Sequence, residues 1–562
     1  MSEDPFDQLA PLAPLEPALP EGPPADGPSE AVLKRAAGLP LNDIGNGKRF
    51  VLHFGADCIY VPRVGWFIWD GRVWVQDKDR LAVRRNAQRL SDLIRREMPF
   101  LGFGAGLAED RRRAVAAKAK SDRSVEEADD LDKLEKLFSR HHSFAISTGN
   151  TARIDNATRE AEAELAVEFD ALDAAPLDIN TESGILRFSV VDMTEDGAGR
   201  VARVERVDHD RDLRMTKIMP VVLDPDAPHP LFDAFLERIQ PDIEVRSFLQ
   251  RWMGLSMTGQ PLQRLVFLHG AGANGKSVLV DLMARIMGNY AATARIESLT
   301  GTTRRGGGDA TPDLIPLMGA RMVRTSEPDE GQRLQEGLIK ELTGGEPLQV
   351  RALHSDFVEV RPHFKLTMSG NHKPEIRGTD DGIWRRVMMV PFDVQIPEAE
   401  RDQGLIDKLW EERSGILNWL IEGLLDVLEG GLRPPAAVTE ATSEYRMESD
   451  PIGNFLVDCC QITGDPTDNI AAKLLSDAFA YYLLERGMSP WKPTTFARQI
   501  AAKAGQWRHP KTGRQFTKGK SSVSQYLGMR FTDTFRHRFE TAPKDHRGHP
   551  IGVSEASPDP IP

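Results

Sequence analysis

Cysteine is scarce in this chain: Cys58, Cys459 and Cys460 are the only three in 562 residues. Three thiols cannot build a disulfide framework, nor a four-ligand zinc site by themselves. They are expected to be small buried hydrophobes in a reducing compartment. Long apolar runs are missing as well. No stretch approaches the roughly 18 residues that a transmembrane helix requires, and Met1-Ser2-Glu3-Asp4-Pro5 lacks the basic and apolar regions of a secretion signal. The expectation is a cytoplasmic protein with no membrane partner. Positive charge is also in deficit, with a formal net charge of −13. Net charge describes a long chain poorly, however, because charge is unevenly placed. From Lys492 to Arg547 there are 13 Lys/Arg and three acids, Asp533, Glu540 and Asp545. A strongly basic stretch inside an acidic protein points to nucleic acid.

The length suggests three or four domains, and 40% hydrophobic with 28% charged residues is an ordinary globular balance. Residues 1–40, rich in Pro, Ala, Glu and Asp without a period, read as a disordered tail, with order expected from Leu41. Residues 41–230 read as an α+β domain. In it Arg49–Phe54 is expected as a strand, and Trp66–Trp74 as two strands turning at Asp70-Gly71. The tryptophans Trp66, Trp69 and Trp74 read as core rather than as a base-stacking platform. From Asp79 to about Arg140 the pattern is helical, its charge runs lying on solvated faces. Asn180 to Gly184 is a turn between apolar stretches, and Leu231 to Gly259 reads as helix. Residues 231–400 form the expected core and 401–450 a helical lid or connector, with Gly415 to Leu428 an amphipathic helix ended by Gly430-Gly431. Residues 451–540 read as a small helical domain, and 541–562 as a second disordered tail.

The most informative segment begins at Arg264-Leu-Val-Phe-Leu-His269, a short apolar run that reads as a buried strand. It is followed by Gly270-Ala271-Gly272-Ala273-Asn274-Gly275-Lys276-Ser277 and then by a helical pattern from Val278 to Met287. This is G-x-x-x-x-G-K-[ST] between a strand and a helix, the context in which the motif binds nucleotide phosphates. The glycines let successive backbone N–H groups point inward, aided by the helix N-terminus. Lys276 can neutralise the β and γ phosphates of ATP, and the Ser277 hydroxyl can ligate Mg²⁺. Such a site needs an acid on a second strand. Ala320-Arg-Met-Val-Arg-Thr-Ser326 followed by Glu327 supplies one, 51 residues after Lys276, with Asp329 and Glu330 nearby. A third strand, Phe364 to Gly370, ends in Asn371, placed to orient water or sense the γ-phosphate, or simply to turn the chain. Trp384-Arg385-Arg386 precedes a fourth strand, Val387 to Phe392. These arginines are either ion-paired surface or fingers reaching a neighbour's γ-phosphate, worth about 10³–10⁵ in rate where such fingers act.

Together these motifs resemble the superfamily 3 helicases, specifically the phage/plasmid primase-helicase family related to the poxvirus primase-helicase. The resemblance runs through Gly270–Ser277, Ser326-Glu327, Lys340-Glu-Leu-Thr-Gly-Gly345-Glu346, Asn371-His-Lys-Pro374 and Trp384–Arg386. Upstream, Gly65 to Trp74, Leu177 to Gly184 and Thr216-Lys217 look like that family's helicase-associated domain. Downstream, Gly415 to Gly423 and Ala441 to Asp450 fit the stretch beyond its motor. The resemblance implies an α/β fold: an AAA+-like P-loop core with a parallel sheet, preceded by an α+β helicase-associated domain and followed by a small winged-helix-like domain. It also implies a homo-oligomeric ring, expected to be a hexamer, with ATP and Mg²⁺ as cofactors and Lys276, Ser277, Glu327 and Asn371 in the roles given above. Arg385 or Arg386 would be the finger supplied across subunits. Such helicases carry a pore hairpin that holds single-stranded DNA. Leu348 to Leu353 and Phe357 to Arg361 alternate as its two strands, with His354 at the turn and Arg351 and Lys340 able to share the contact. An ordinary exposed turn residue is the alternative for His354. In the winged-helix-like region Thr494 to Lys503 is the candidate recognition helix, Ile470 to Leu484 another helix, and Lys511 to Lys520 a wing. Arg498, Lys503, Lys518 and Lys520 are the expected contacts to duplex DNA.

Relatives often carry a primase ahead of the motor. The forty-odd residues before Leu41 are too few for one, so the expectation is a helicase part whose primase or polymerase is a separate partner, in a bacterial or phage-infected cytoplasm. Two other readings compete with the motor. One is an ATP-switched replication initiator or loader that remodels DNA without processive unwinding, and the other is an ATPase acting on packaged DNA.

Overall fold

Phe50 and Phe54 lie one helical turn apart and are both buried, as are Asn46 and Arg49. That spacing fits a helix, and Asp43–Phe54 is one, capped by the Asn42 side chain. The strand expected for Arg49–Phe54 is therefore corrected. The computed structural model describes residues 28–192, 199–301, 311–351, 357–376, 381–520 and 523–543. Order starts earlier than Leu41, because Ser29 caps a helix at Glu30–Ala37. The carbonyls of Ala36, Leu39 and Pro40 accept bonds from the Arg49 guanidinium, which also pairs with Glu97 at 2.7 Å. Both charges are fully buried, so removing one partner would cost about 3–5 kcal/mol.

Next come antiparallel strands Cys58–Val61, Gly65–Trp69 and Trp74–Gln76. Asp70 closes the second turn by accepting from the N–H groups of Arg72 and Val73. Trp66 and Trp74 are buried in the surrounding core, as the apolar reading of these residues requires. The charged region forms helices, the longest being Val125–Thr148, started by a Ser124/Glu127 capping box. Its outward charges pair along one face, Asp129 with Lys133 and Asp132 with Lys136. A three-stranded antiparallel sheet follows, Asp178–Thr181, Gly184–Asp192 and Arg200–Val207.

The centre of the first compact unit is a five-stranded parallel sheet. Its strands are β1 (Leu265–His269), β2 (Ala291–Ala294), β3 (Met322–Thr325), β4 (Lys365–Gly370) and β5 (Val387–Pro391), in the order β2-β3-β4-β1-β5. Parallel sheets are covered on both faces, which explains the continuous apolar burial of β1 and β5. Helices Ile243–Ser256 and Arg413–Gly430 pack closely on one another. A Cβ on Gly254 would come within 2.5 Å of the Leu424 nitrogen, and one on Gly423 within 2.3 Å of the Gln250 carbonyl. Residues 401–450 are thus not a separate connector. Their first part belongs to this unit, which runs to Pro435, and the helix Ala436–Glu448 belongs to the second. The 41–230 region also falls within the first unit.

Two buried charges stand at strand starts, Arg321 just before β3 and Lys365 as the first residue of β4. Arg321 donates to the carbonyls of Asp178, Met257 and Ala175 and lies over the Tyr290 ring at 4.5 Å. Lys365 donates to the Thr258 and Gln260 carbonyls, and complete burial holds its pKa well below the ordinary lysine value. Both anchor the starts of strands whose other ends face the candidate site.

The second unit has its own core, with Phe479 stacked on Phe496 at 4.7 Å and Phe455 edge-on to Phe479, Tyr482 and Phe535. It runs helix Pro451–Cys459, strands Cys460–Ile462 and Asn469–Ala471, helices Ala472–Glu485 and Pro493–Lys503, the hairpin Thr517–Lys520/Ser524–Leu527, strand Met529–Phe531 and helix Asp533–Thr541. The strand Asn469–Ala471 pairs with the hairpin's second strand, so Ile470 starts no helix: it sits opposite Tyr526. All three cysteines are free and buried, and burial pushes the Cys58 and Cys459 thiols up to about 12.

Candidate nucleotide site and nucleic-acid surface

Between β1 and the helix Lys276–Met287 the backbone turns through three left-handed residues, Gly272 (φ 89°), Ala273 (φ 49°) and Gly275 (φ 78°). Gly275 has no room for a side chain, since a Cβ there would come within 2.4 Å of Ile239. Ala273 adopts a conformation that alanine rarely takes. Its carbonyl is pinned by the Ile396 N–H at 2.7 Å. The buried Asn274 side chain adds a second anchor by donating to the Phe392 carbonyl at 3.1 Å. The segment following β5 thus holds the loop in its strained form.

A cavity of about 580 Å³ opens above this loop at the C-terminal ends of β3 and β4, where ligands of parallel α/β sheets bind. Gly272 to Val278, Glu327 and Asn371 all line it. Gly270 sits below, at the end of β1, and Ala271 is exposed on the turn. Lys276 is buried, and its Nζ donates to Gly270 O (2.8 Å), Asn274 Oδ1 (2.8 Å) and Asn371 Oδ1 (3.3 Å). Burial lowers its pKa, with the Glu327 carboxylate pulling the other way. Glu327 accepts from the backbone N–H groups of Asn371 and His372, and from Asn371 Nδ2 at 3.3 Å. Four groups from three parts of the sequence therefore converge on one cavity: a cation and the adjacent Ser277 hydroxyl, a carboxylate and an amide.

The two arginines separate. Arg385 is exposed, whereas Arg386 is buried, its Nε donating to Thr343 Oγ1 at 3.1 Å and its Nη2 to Gln263 Oε1 at 3.2 Å. Arg386 is thus a packing residue, and of the two only Arg385 is exposed. The sequence reading missed Asp281, Thr293 and Arg324, which also line the cavity. The signal was there in Arg324, a charge in the strand that leads to Glu327.

Strands Leu348–Val350 and Val358–Val360 pair antiparallel as expected; His354 lies outside the described residues. Arg351 is half-buried with its guanidinium 4.8 Å from the Phe357 ring, and Lys340 is half-buried on the helix Glu336–Leu342. In the second unit Arg498, Lys518 and Lys520 are exposed. Lys503 is corrected as a DNA contact: it pairs with Asp450 at 2.6 Å, largely buried, and Asp450 also caps the helix Pro451–Cys459. Among the described residues no helix is long and apolar enough to cross a membrane.

Fold and cavity define a mixed α/β protein with a parallel five-stranded sheet and an anion-suited site at its strand ends. Residues 47–241 match the family described as D5 N terminal like, and residues 268–386 match a family of unknown function, DUF5906. The D5 N terminal like match and the names of the relatives below support a D5-like primase-helicase family for this chain. It is 30% identical over 244 residues to a mimivirus protein named "Putative helicase L207/L206", covering 40% of this chain and 25% of that protein. It is 26% identical over 178 residues to the fowlpox virus protein named Primase D5, covering 30% and 22%. The chain thus spans about a quarter of the length of the curated relatives it matches. Among solved structures, the apo NrS-1 C terminal region aligns over 61% of this chain and 96% of its own, at 12% identity and a TM-score of 0.36.

Proposed function

We propose that this chain is an ATP-dependent DNA helicase of replication, built on an AAA+-like P-loop core that hydrolyses ATP at the subunit interfaces of a hexameric ring. One observation carries the reading: Lys276, Ser277, Glu327 and Asn371 share one cavity at the ends of parallel strands. The relatives' helicase and primase names support it.

The loop amides and the helix N-terminus cradle the phosphates, and Lys276 exchanges its neutral acceptors for phosphate oxygens. Ser277 and Glu327 offer hard oxygen donors to the cavity, a set that fits Mg²⁺, which when bound neutralises charge across the β and γ phosphates. Glu327 takes a proton from the attacking water as its oxygen bonds to the γ-phosphorus and the bond to the ADP oxygen breaks. The products are ADP, inorganic phosphate and a proton. Asn371 orients Glu327 and the terminal phosphate. Arg385, exposed, is the finger delivered to the neighbouring site.

Single-stranded DNA passes through the ring pore, against the paired strands Leu348–Val350 and Val358–Val360. Duplex DNA meets the second unit, read as a winged-helix-like domain, through its exposed Arg498, Lys518 and Lys520. A separate primase or polymerase supplies priming and synthesis. The test is whether the active site is shared. ATP turnover per subunit should rise with protein concentration, and mixing Lys276→Ala with Arg385→Ala subunits should restore part of it. Concentration-independent turnover, with Arg385→Ala fully active, would remove the ring from the reading.

A further inference from the structure

The cavity has a second charged feature that the hydrolytic set leaves unused. Arg324 on β3 and Thr293 on β2 are register partners across the parallel pair, and Arg324 Nε donates to Thr293 Oγ1 at 3.0 Å. The same guanidinium pairs through Nη1 with Asp281. Asp281 follows Ser277 by four residues, so its carboxylate shares a helix face with the metal-suited hydroxyl. All three residues line the cavity, Arg324 with 30% and Asp281 with 49% of the side chain exposed.

A surface ion pair of this kind is ordinarily worth little, but this one faces a site that must receive several negative charges at once. Lys276 is one cation there, and Arg324 is a second. The Asp281 carboxylate neutralises that guanidinium, one helical turn along from Ser277. Phosphate is the stronger match for a planar guanidinium fork. Burial also lowers the Arg324 pKa, so an added anion is favoured.

We infer that Arg324 is a phosphate-sensing arginine acting within its own subunit, held by Asp281 before nucleotide binds and transferred to the terminal phosphate of a bound nucleoside triphosphate. It would discriminate triphosphate from diphosphate, separately from the finger contributed by a neighbour. The inference rests on the nucleotide-site reading above.

The test is the ratio of Kd values for Mg·ATP and Mg·ADP, measured by competition against a fluorescent nucleotide, with thermal melts confirming that each variant is folded. Arg324→Gln should weaken ATP by about tenfold or more, the loss of a charged hydrogen bond, while ADP changes by less than about twofold. Asp281→Asn should bind ATP at least as tightly as the wild type, because it frees the guanidinium. If the pair is only a strut between β3 and the helix, both variants lower the melting temperature and leave the ATP/ADP ratio unchanged, which overturns the inference. Lys276-dependent ATP binding in the wild type with that unchanged ratio contradicts this inference alone. Absence of Lys276-dependent binding contradicts the site reading, and the inference falls with it.

Discussion

The Oδ1 of Asn371 accepts a hydrogen bond from Lys276 Nζ at 3.3 Å, and the amide nitrogen of the same side chain donates to Glu327 at 3.3 Å. One amide thus spans the phosphate-facing cation and the carboxylate on the neighbouring strand end. In the proposed reading, an anion that draws Lys276 away would free the Asn371 amide that also holds Glu327.

Lys276→Ala should abolish ATP turnover at little cost to the fold. Burial already works against the lysine's charge, so truncation removes a desolvated group along with its three hydrogen bonds. Glu327→Gln should retain ATP binding and lose turnover, because the amide keeps an acceptor but cannot take a proton. Steady-state hydrolysis and nucleotide titration separate the two. Equal loss of binding in both variants would assign Glu327 to the binding surface instead.

Arg385→Ala and Arg386→Ala should fail differently. The first should lose turnover with an unchanged melting temperature. The second should lose about 1–3 kcal/mol of stability, since it strips bonded groups from Thr343 and Gln263 in the interior. Urea melts beside turnover assays decide this; two equally stable, equally inactive variants would contradict the assignment.

DNA binding by the second unit should be salt-dependent through a few residues. Replacing Arg498, Lys518 and Lys520 by Gln should flatten the dependence of log K on log salt by about 0.9 for each phosphate left without its cation. Lys503→Gln should instead lower stability through the Asp450 pair. A slope unchanged in the triple variant would place the DNA surface elsewhere.

Stability should fall in mild acid through His53. Burial pulls its imidazole from 6.5 down to about 4, with Arg49 and Arg89 pulling the same way and Glu97 opposing. Between those values the unfolded chain binds the extra proton, so stability is full above 6.5 and is lost as pH falls toward 4. About 2 kcal/mol should go between about pH 7 and about pH 5. Denaturant midpoints of wild type and His53→Gln at the two pH values test this, and parallel losses would point to another group.

Much of the parallel-sheet core is legible in the sequence because its signals are local. The order strand, glycine loop, lysine, helix needs only a few consecutive residues, and β1 and the helix Lys276–Met287 lie within a residue or two of where the sequence places them. Glu327 and Asn371 are legible as strand-end polar groups. The illegible parts depend on packing. Arg49–Phe54 is a short, apolar-rich run that suits a strand, but the partners of Arg49 are Glu97 and the Ala36, Leu39 and Pro40 carbonyls, which only the fold brings beside it. Arg385 and Arg386 are chemically identical in sequence, and only the Thr343 and Gln263 contacts tell them apart. Lys503 has the look of a recognition-helix charge, and only the fold brings Asp450 beside it. Arg324 reads as a flaw in a strand until β2 and the helix Lys276–Met287 are placed against it.

The most direct test is strand displacement from a forked DNA duplex by the wild-type chain and by Lys276→Ala, with ATP and Mg²⁺. The helicase reading predicts displacement that requires hydrolysable ATP, continues over increasing duplex lengths and is absent in the variant. ATP hydrolysis and DNA binding without displacement at any duplex length would contradict it and leave an ATP-switched initiator or loader.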